Sequence, residues 1–398
     1  MTTFTHADKL DAALAPIAEE LVAFRRDIHQ HPELGFETAR TIGLVRAKLE
    51  ATGLAPDTEI VKGGLVCLIE GNRPGKTVAL RADVDCLPMT DCSTTDWKSR
   101  TEGLAHACGH DGHTTWLTAA GLALAADRDF PGRVLLIFQP NEEGGTGARA
   151  VIDAGVLTKY DVAEIFGAHT EPLLPKGTYG FRVGPLQASA DLWYATLTGK
   201  GTHGGRPHLG IDPIPVAAQI VNALQTIVSR KVDPIDTAVV SCCSITAGRY
   251  ETPNVIPHEA KLSGTVRTFM PQTRKDVEHH MRAMITGIAE ANGLTAEITY
   301  KALIPAVINA KEPAESAMAC ARERFGAESV TEMKPMMSSE DFAEYLQLIP
   351  GAIMRVGIRD DEHTVSLHHQ AFDFNDEVLP ATGTLLAAMA KKRLAELA

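Results

Sequence analysis

Apolar positions recur along this chain in two spacings, one of three to four residues and one of two, and the short apolar runs repeatedly end in polar clusters. Residues 15–30 have helical amphipathic spacing with Pro16 in the first turn. The helix should stop near His31-Pro32, because proline disfavours helical backbone at the residue before it. Residues 38–52 form a second helical stretch closed by Gly53, and 64–70 and 77–82 are strand-like, the latter running straight into Asp83-Val84-Asp85. The same arrangement then returns. Residues 133–139 deliver Pro140-Asn141-Glu142-Glu143-Gly144-Gly145, residues 163–168 deliver His169, and residues 352–358 lead into a polar loop carrying His368-His369. An alanine-rich helical stretch, 114–126, separates the first of these strands from those before it. Alternating strands and helices predict an α/β protein with a mostly parallel central sheet flanked by helices. In such a sheet ligands gather beyond the carboxyl ends of the strands, where clusters far apart in sequence meet.

A different texture runs from 184 to 298. Residues 191–199 alternate like a half-exposed strand, Asp212-Pro213 opens a helix through Ser229, 238–247 and 258–269 are strand-like, and 271–291 is helical. The order strand, helix, strand, strand, helix predicts a ferredoxin-like α+β domain inserted into the larger one. The expected division is therefore 1–183 with 299–398 as one domain and 184–298 as the insert, with 312–325 and 376–397 as helices returning to the first sheet. No internal repeat is evident.

At 398 residues the chain exceeds what one core usually holds, which agrees with two domains. A net charge of -12 argues against nucleic acid or an anionic membrane as partner. The first twenty residues carry Asp8, Asp11, Glu19 and Glu20 and no long apolar run of the secretory kind. No segment has the length and apolarity of a membrane span. Seven cysteines, an odd number scattered through a large chain, fit reduced thiols and a cytoplasmic location.

The densest chemistry lies in His106-Ala107-Cys108-Gly109-His110-Asp111-Gly112-His113. Cys and His suit borderline metals such as zinc, and the glycines permit a tight turn. Cys108 and His110 stand two apart, a spacing that does not share a helix face, which places both on a turn ahead of a helix starting near His113. With Glu143, His169 and His368 they make five ligand-type side chains, enough for two ions roughly 3.5–4 Å apart with one ligand bridging. Two divalent cations would also neutralise the clustered acids and keep Cys108 as thiolate. Adjacent acids such as Glu142-Glu143 are commonly a solvated pair, but Pro140 and Gly144-Gly145 at a strand end favour a functional turn. Asp83 and Asp85 share a strand face and suit orienting ligands through hydrogen bonds better than binding metal themselves. Either His368 or His369 is an acceptable ligand by type.

The segments HACGHDGH, FQPNEEGG, GAHTEP, GKGTHGGRPH, NVIP and LHHQAFDFND resemble the zinc-dependent aminoacylase and carboxypeptidase superfamily, in particular its amidohydrolase branch of hippurate hydrolases, N-acyl-amino-acid amidohydrolases and plant indole-acetyl-amino-acid hydrolases. The resemblance covers nearly the whole chain in order. It implies that Cys108, His110, Glu143, His169 and His368 hold two divalent ions, zinc first with manganese, cobalt or nickel as options, and that Glu142 is the catalytic acid and base. It also implies His203 as the lid histidine that steadies the oxyanion, the ligand position directly after Leu367, and a homodimer formed through the inserted lid. Two positions depart from the pattern. Asn141 stands where alanine is frequent, and His203-Gly204-Gly205-Arg206-Pro207-His208 replaces HAAMPH, putting Arg206 where an apolar residue is usual.

The expected reaction is hydrolysis of the amide bond of a small N-acyl amino acid. Arg267, Asn254 or Arg206 are options for holding the free carboxylate of that substrate. The alternatives are a dipeptidase or carboxypeptidase with the same centre, a non-catalytic binding protein with a metal-stabilised cleft, and a thiol enzyme with Cys108 as nucleophile.

Overall fold

The computed structural model describes residues 9–398; Met1 to Asp8, the start of the stretch read above for a secretory segment, lie outside the described residues. The chain divides into two compact units, Met1–Gly184 with Ile308–Lys334 and Asp341–Ala398, and Pro185–Val307 with Pro335–Glu340. Among the described residues no helix is long and apolar enough to cross a membrane.

The first unit is built on a seven-stranded sheet in the order Leu65–Glu70, Pro131–Gln139, Arg73–Asp83, Val162–Pro175, Gly351–Arg359, Tyr179–Phe181, Val330–Glu332. The four strands from Pro131–Gln139 to Gly351–Arg359 are mutually parallel. Leu65–Glu70 and Tyr179–Phe181 flank them antiparallel, and Val330–Glu332 runs parallel to Tyr179–Phe181. Parallel strands need crossover helices on their faces, and their interior positions are accordingly apolar on both sides, as Leu80, Leu136 and Phe166 are on one face and Ala79, Leu135 and Ile165 on the other. The α/β architecture read from the periodicity is the observed one.

The helix His110–Ala126 is buried along most of its length, which explains its alanine-rich composition: an apolar surface all round belongs inside a layer rather than on one. It packs closely on Leu379–Glu396, where a Cβ on Gly383 would lie 2.7 Å from the Cβ of Ala119. Two boundaries differ from the sequence reading. The strand Val162–Pro175 runs through His169 instead of ending before it, because its outer half pairs with Gly351–Arg359, placing His169 beside Arg355 and Thr170 beside Val356. The helix expected near His113 begins at His110, because Gly109 ahead of it takes a left-handed turn.

The second unit has strands Ala190–Thr198, Ala238–Ala247, Glu259–Thr268 and Thr295–Ile304 with helices Pro213–Arg230 and Pro271–Ala291. Its antiparallel sheet is ordered Thr295–Ile304, Ala190–Thr198, Glu259–Thr268, Ala238–Ala247, which with the chain order strand, helix, strand, strand, helix, strand is the ferredoxin-like arrangement. The Asp212 carboxylate caps the first of these helices by accepting from the Ile214 amide at 2.9 Å. Trp193, Ile220, Leu224, Val277 and Ile285 form a separate core. The fourth strand, Thr295–Ile304, spans position 298. It lies on the sheet edge with no fully buried residue, and only Ala296, Ile298 and Tyr300 of its inward face pack on the core.

Two helical glycines of the first unit separate propensity from packing. A methyl group added at Gly43, in Ala39–Glu50, would have nothing within 4 Å of it, whereas at Gly112 the same methyl would overlap the buried Phe374 ring. Gly43→Ala is expected to raise unfolding free energy by about 0.5–1 kcal/mol. Gly112→Ala should lower it by about 1–3 kcal/mol through overpacking. Denaturant unfolding of both variants checks this, and equal shifts of one sign would refute the packing account.

Candidate metal centre

Cys108 and His110 are brought to one point by Gly109. The glycine has φ of 84°, and a Cβ there would lie 2.9 Å from Thr170 Oγ1, so no side chain is tolerated between the two residues. This left-handed turn is what lets the helix begin at His110 while Cys108 stays outside it, and it replaces the turn expected up to His113. The Cys108 carbonyl is held by the Thr170 hydroxyl at 3.0 Å.

Among the described residues five sets of side chains place their donor atoms within 4.8 Å of one another, and two of them contain a cysteine, Cys108 with His110 and His169, and Cys108 with Glu143 and His368. Sγ of Cys108 is common to both. It lies 3.5 Å from Nε2 of His169 and 3.3 Å from Nε2 of His368, and the latter nitrogen is 3.5 Å from Oε1 of Glu143. Glu142 enters a third set with His110 and Glu143, its Oε2 being 4.0 Å from Nε2 of His110.

The imidazoles are oriented from behind. Nδ1 of His110 donates to the Asp85 carbonyl at 2.9 Å and Nδ1 of His169 to the Thr170 carbonyl at 2.8 Å, leaving each Nε2 facing the cluster. His113 differs. Its Nε2 accepts from the Thr170 amide at 3.0 Å and its Nδ1 donates to Asp83 at 2.5 Å, so both nitrogens are committed to protein bonds. The Asp85 carboxylate accepts the amides of Glu142 at 3.0 Å and Glu143 at 3.2 Å, which fixes the turn on which both acids stand. Asn141 has φ of 56° in that turn, and a Cβ on Gly144 would overlap its side-chain oxygen, so Gly144 is required by the asparagine. His368 also has positive φ, 60°, and its amide donates to the Ala107 carbonyl at 2.8 Å. His369 accepts the Ala371 amide on its own Nδ1 at 3.1 Å, and both His368 and His369 are exposed.

The donor set suits divalent cations. Nε2 of His110 and Oε1 of Glu143 are buried with no hydrogen-bond partner, and sulfur, imidazole and carboxylate together are a borderline-metal set. Burial, and then Glu143, push the Cys108 thiol up to about 12. Burial opposes a charge on His110, but Asp83 and then Cys108 outweigh it and hold the ring well above its ordinary pKa. Burial and the nearby Arg355 keep His169 well below its own, so its Nε2 lone pair is available. A group of buried acids that retains a proton on a histidine is one into which a cation can move with release of that proton.

The lid residues singled out in the sequence lie in the second unit. His203 pairs with Val255 in a two-stranded ribbon, exposed, its Nδ1 accepting the Gly205 amide at 3.0 Å. Asn254 and Arg206 are exposed in the same corner, the Asn254 carbonyl accepting from Gly204 at 2.6 Å. Arg267 stands apart on Glu259–Thr268, half-buried, donating to Thr265 Oγ1 and to the Val266 carbonyl.

Three supporting residues escaped the sequence reading. Arg81, buried in its strand, donates to Gln139 at 2.8 Å, to Asp83 at 2.7 Å and to Asp341 at 2.9 Å. Asp341 also holds the Ala148 amide at 2.9 Å, and its own amide donates to Oε1 of Glu142 at 3.4 Å. An arginine inside the apolar run VALRADVD was the available signal for the first. His113, the last residue of HACGHDGH, had no signal separating it from a ligand.

Comparison with known proteins gives the family of the chain. The family described as "Peptidase family M20/M25/M40" matches residues 79–392, a span that holds every side chain of the cluster. An N-acetylcysteine deacetylase of Bacillus subtilis is 39% identical over 93% of this chain and 96% of its own length. A hippurate hydrolase of Campylobacter jejuni is 36% identical over 94% of this chain and 97% of its own. A crystal structure of a dinuclear metal-binding M20 peptidase from Bacillus subtilis superposes with a TM-score of 0.85 at 35% identity, covering 96% of this chain and all of that one. The match is near full length in sequence and in fold, and the chain belongs to the M20/M25/M40 peptidase family, in its amidohydrolase branch.

Proposed function

We propose that this protein hydrolyses the amide bond of small N-acyl amino acids at a centre of two divalent cations, zinc first among them, held by Cys108, His110, Glu143, His169 and His368. The observation that carries the reading is the sharing of Cys108 Sγ between two otherwise separate ligand sets, as a bridging thiolate requires. The two curated relatives support the substrate class, since their names refer to N-acetylcysteine and to hippurate, both acyl amino acids.

Cations bound there would make water acidic enough to lose a proton near neutral pH and would draw electron density from the amide carbonyl. Glu142 is placed to handle that proton. Its Oε1 is steadied by the Asp341 amide while Oε2 faces the ligand cluster, so Oε2 is the atom that takes the proton from water and returns it to the departing nitrogen. His203 has its Nδ1 engaged by Gly205, which leaves Nε2–H as a donor for the oxyanion. Arg267 supplies the cation for the substrate carboxylate, with Asn254 and Arg206 as the alternatives for that role.

The inserted unit serves as lid and dimerisation domain in this reading. Support comes from its edge strand Ala238–Ala247, which presents Ile245 to solvent at 52% exposure. All seven cysteines are free thiols, which supports a reducing, cytoplasmic setting.

Glu142→Gln should retain both metal equivalents and lower kcat by about 10²–10⁴-fold on acyl amino acids. A variant with full metal and the parental rate would remove Glu142 from the chemistry. Arg267→Ala should raise KM for N-acyl amino acids about tenfold and leave KM for their C-terminal amides unchanged; equal effects on the two would assign the arginine to the strand alone. Among acetyl, benzoyl and indole-acetyl amino acids and the matching dipeptides, the acyl compounds should turn over faster, and a preference for dipeptides would make the enzyme a dipeptidase. Sedimentation is expected to show a dimer, which a concentration-independent monomer would contradict.

A further inference from the structure

The N-terminal helix Ala18–Gln30 contributes no ligand, yet it carries a wholly buried arginine, Arg25, at 0% exposure. A guanidinium in such a place is costly unless surrounded by opposite charge. Its partners are informative. Nε lies 2.7 Å from the carboxylate of Asp111, NH2 is 3.4 Å from Asp373, and NH1 is 3.4 Å from Asp376. Asp111 directly follows His110 in the first turn of its helix, and Asp373 and Asp376 close the segment that delivers His368. The same segment is tied at its start and finish by Asp360, which accepts from Asn375 at 2.7 Å and from His363 at 2.7 Å. Trp97 Nε1 donates to Asp373 at 3.1 Å. His29, one helical turn from Arg25, lies 2.8 Å from Asp111.

We propose that Arg25 is a positioning residue that sets the separation between the His110 end and the His368 end of the centre by holding Asp111 and Asp373 on one rigid fork. This rests on the metal-centre reading above. His368 has left-handed backbone, a conformation that persists only where its surroundings over-determine it. Besides the Asp360 and Trp97 bonds, its segment is constrained by the Ala107 carbonyl, by the Cys92 amide donating to the Gln370 carbonyl at 2.7 Å, by Arg26 on Asp376 at 2.8 Å and by the Arg25 ion pairs. Planar geometry is essential to the role, because a lysine in the same place presents one point charge and can hold one carboxylate but not both at fixed spacing.

The test uses cobalt(II) as probe, titrated into the full-length metal-free protein, with the thiolate-to-cobalt absorption band reporting ligation by Cys108 and chelator competition reporting the affinity of each equivalent. Asp373→Asn keeps an acceptor for Trp97 and removes the charge that Arg25 holds. It is expected to fold, to keep one equivalent at parental affinity and to weaken the other by about 10–100-fold. Arg25→Lys, whose point charge can hold one carboxylate, is expected to weaken one equivalent at least tenfold more than the other, and if that variant does not fold, Asp373→Asn decides alone. Parental affinity for both equivalents in Asp373→Asn overturns the proposal, as does equal weakening of both, which would indicate general loosening. Failure of Asp373→Asn to fold also overturns it, since the aspartate would then be a stability element. A wild-type protein with no thiolate–cobalt band refutes the metal-centre reading instead, which keeps the two failures distinct.

Discussion

One buried hydrogen bond, from Nδ1 of His113 to Asp83 at 2.5 Å, joins the three segments on which the cluster is built. Asp83 ends a central strand, His113 belongs to the first turn of the buried helix, and the other nitrogen of His113 receives the amide of Thr170, the residue after His169. The Thr170 hydroxyl then holds the carbonyl of Cys108. Strand end, helix start and neighbouring strand are locked by four polar groups in series. Displacing any one would move Cys108 and His169 relative to each other, while the ring of His113, stacked on Trp116 at 4.6 Å, has no room to adapt.

The support continues beneath Asp83 as a closed set of buried charges. Arg81 is 1% exposed and its partners Asp83 and Asp341 are 0% exposed, so each must be compensated within the protein. They are. Arg81 spends its donors on Asp83, Asp341 and Gln139, Gln139 donates to both oxygens of Asp341, and Tyr345 completes Gln139 at 3.0 Å. Such a network adds little net stability over an apolar core, but it tolerates only one arrangement. Asp341, through its backbone, reaches Glu142. The rigidity of the sheet end is thus carried to the proposed acid and base without any flexible intermediary.

Local pattern makes much of this legible. The apolar runs mark the parallel strands because their residues are buried on both faces, and the polar clusters at their ends mark the convergence point, so Cys108, His110, Glu143, His169 and His368 stand out in the sequence by type and placement. What stays hidden is what depends on distant partners. Arg81 and Asp341 are 260 positions apart, and Arg25 meets Asp373 across 348, so no window of sequence contains either pair. The extension of the strand beyond His169 comes from pairing with Gly351–Arg359, and the edge strand Thr295–Ile304 joins its neighbour Ala190–Thr198 with an inward face that is only half-buried. His368 and His369 are equal by residue type. Only the left-handed backbone at His368, bonded to Ala107, turns its ring toward the thiol and its neighbour's away.

The same neighbourhood decides against Cys108 as a nucleophile. Reactive cysteines sit in electropositive, partly exposed places that lower their pKa. Cys108 is 6% exposed, and burial together with Glu143 pushes its thiol up to about 12. Of the histidines near it, His169 is held neutral by burial and Arg355, and His110, which favours the thiolate, is outweighed by burial and Glu143. His368 approaches at 3.3 Å, and its nitrogen is also 3.5 Å from Glu143. Without cations the sulfur is a buried thiol, and cations held as proposed would commit its lone pairs to ligation. Glu142, with one oxygen steadied from the backbone and the other turned to the cluster, is the group in this site whose surroundings suit proton transfer.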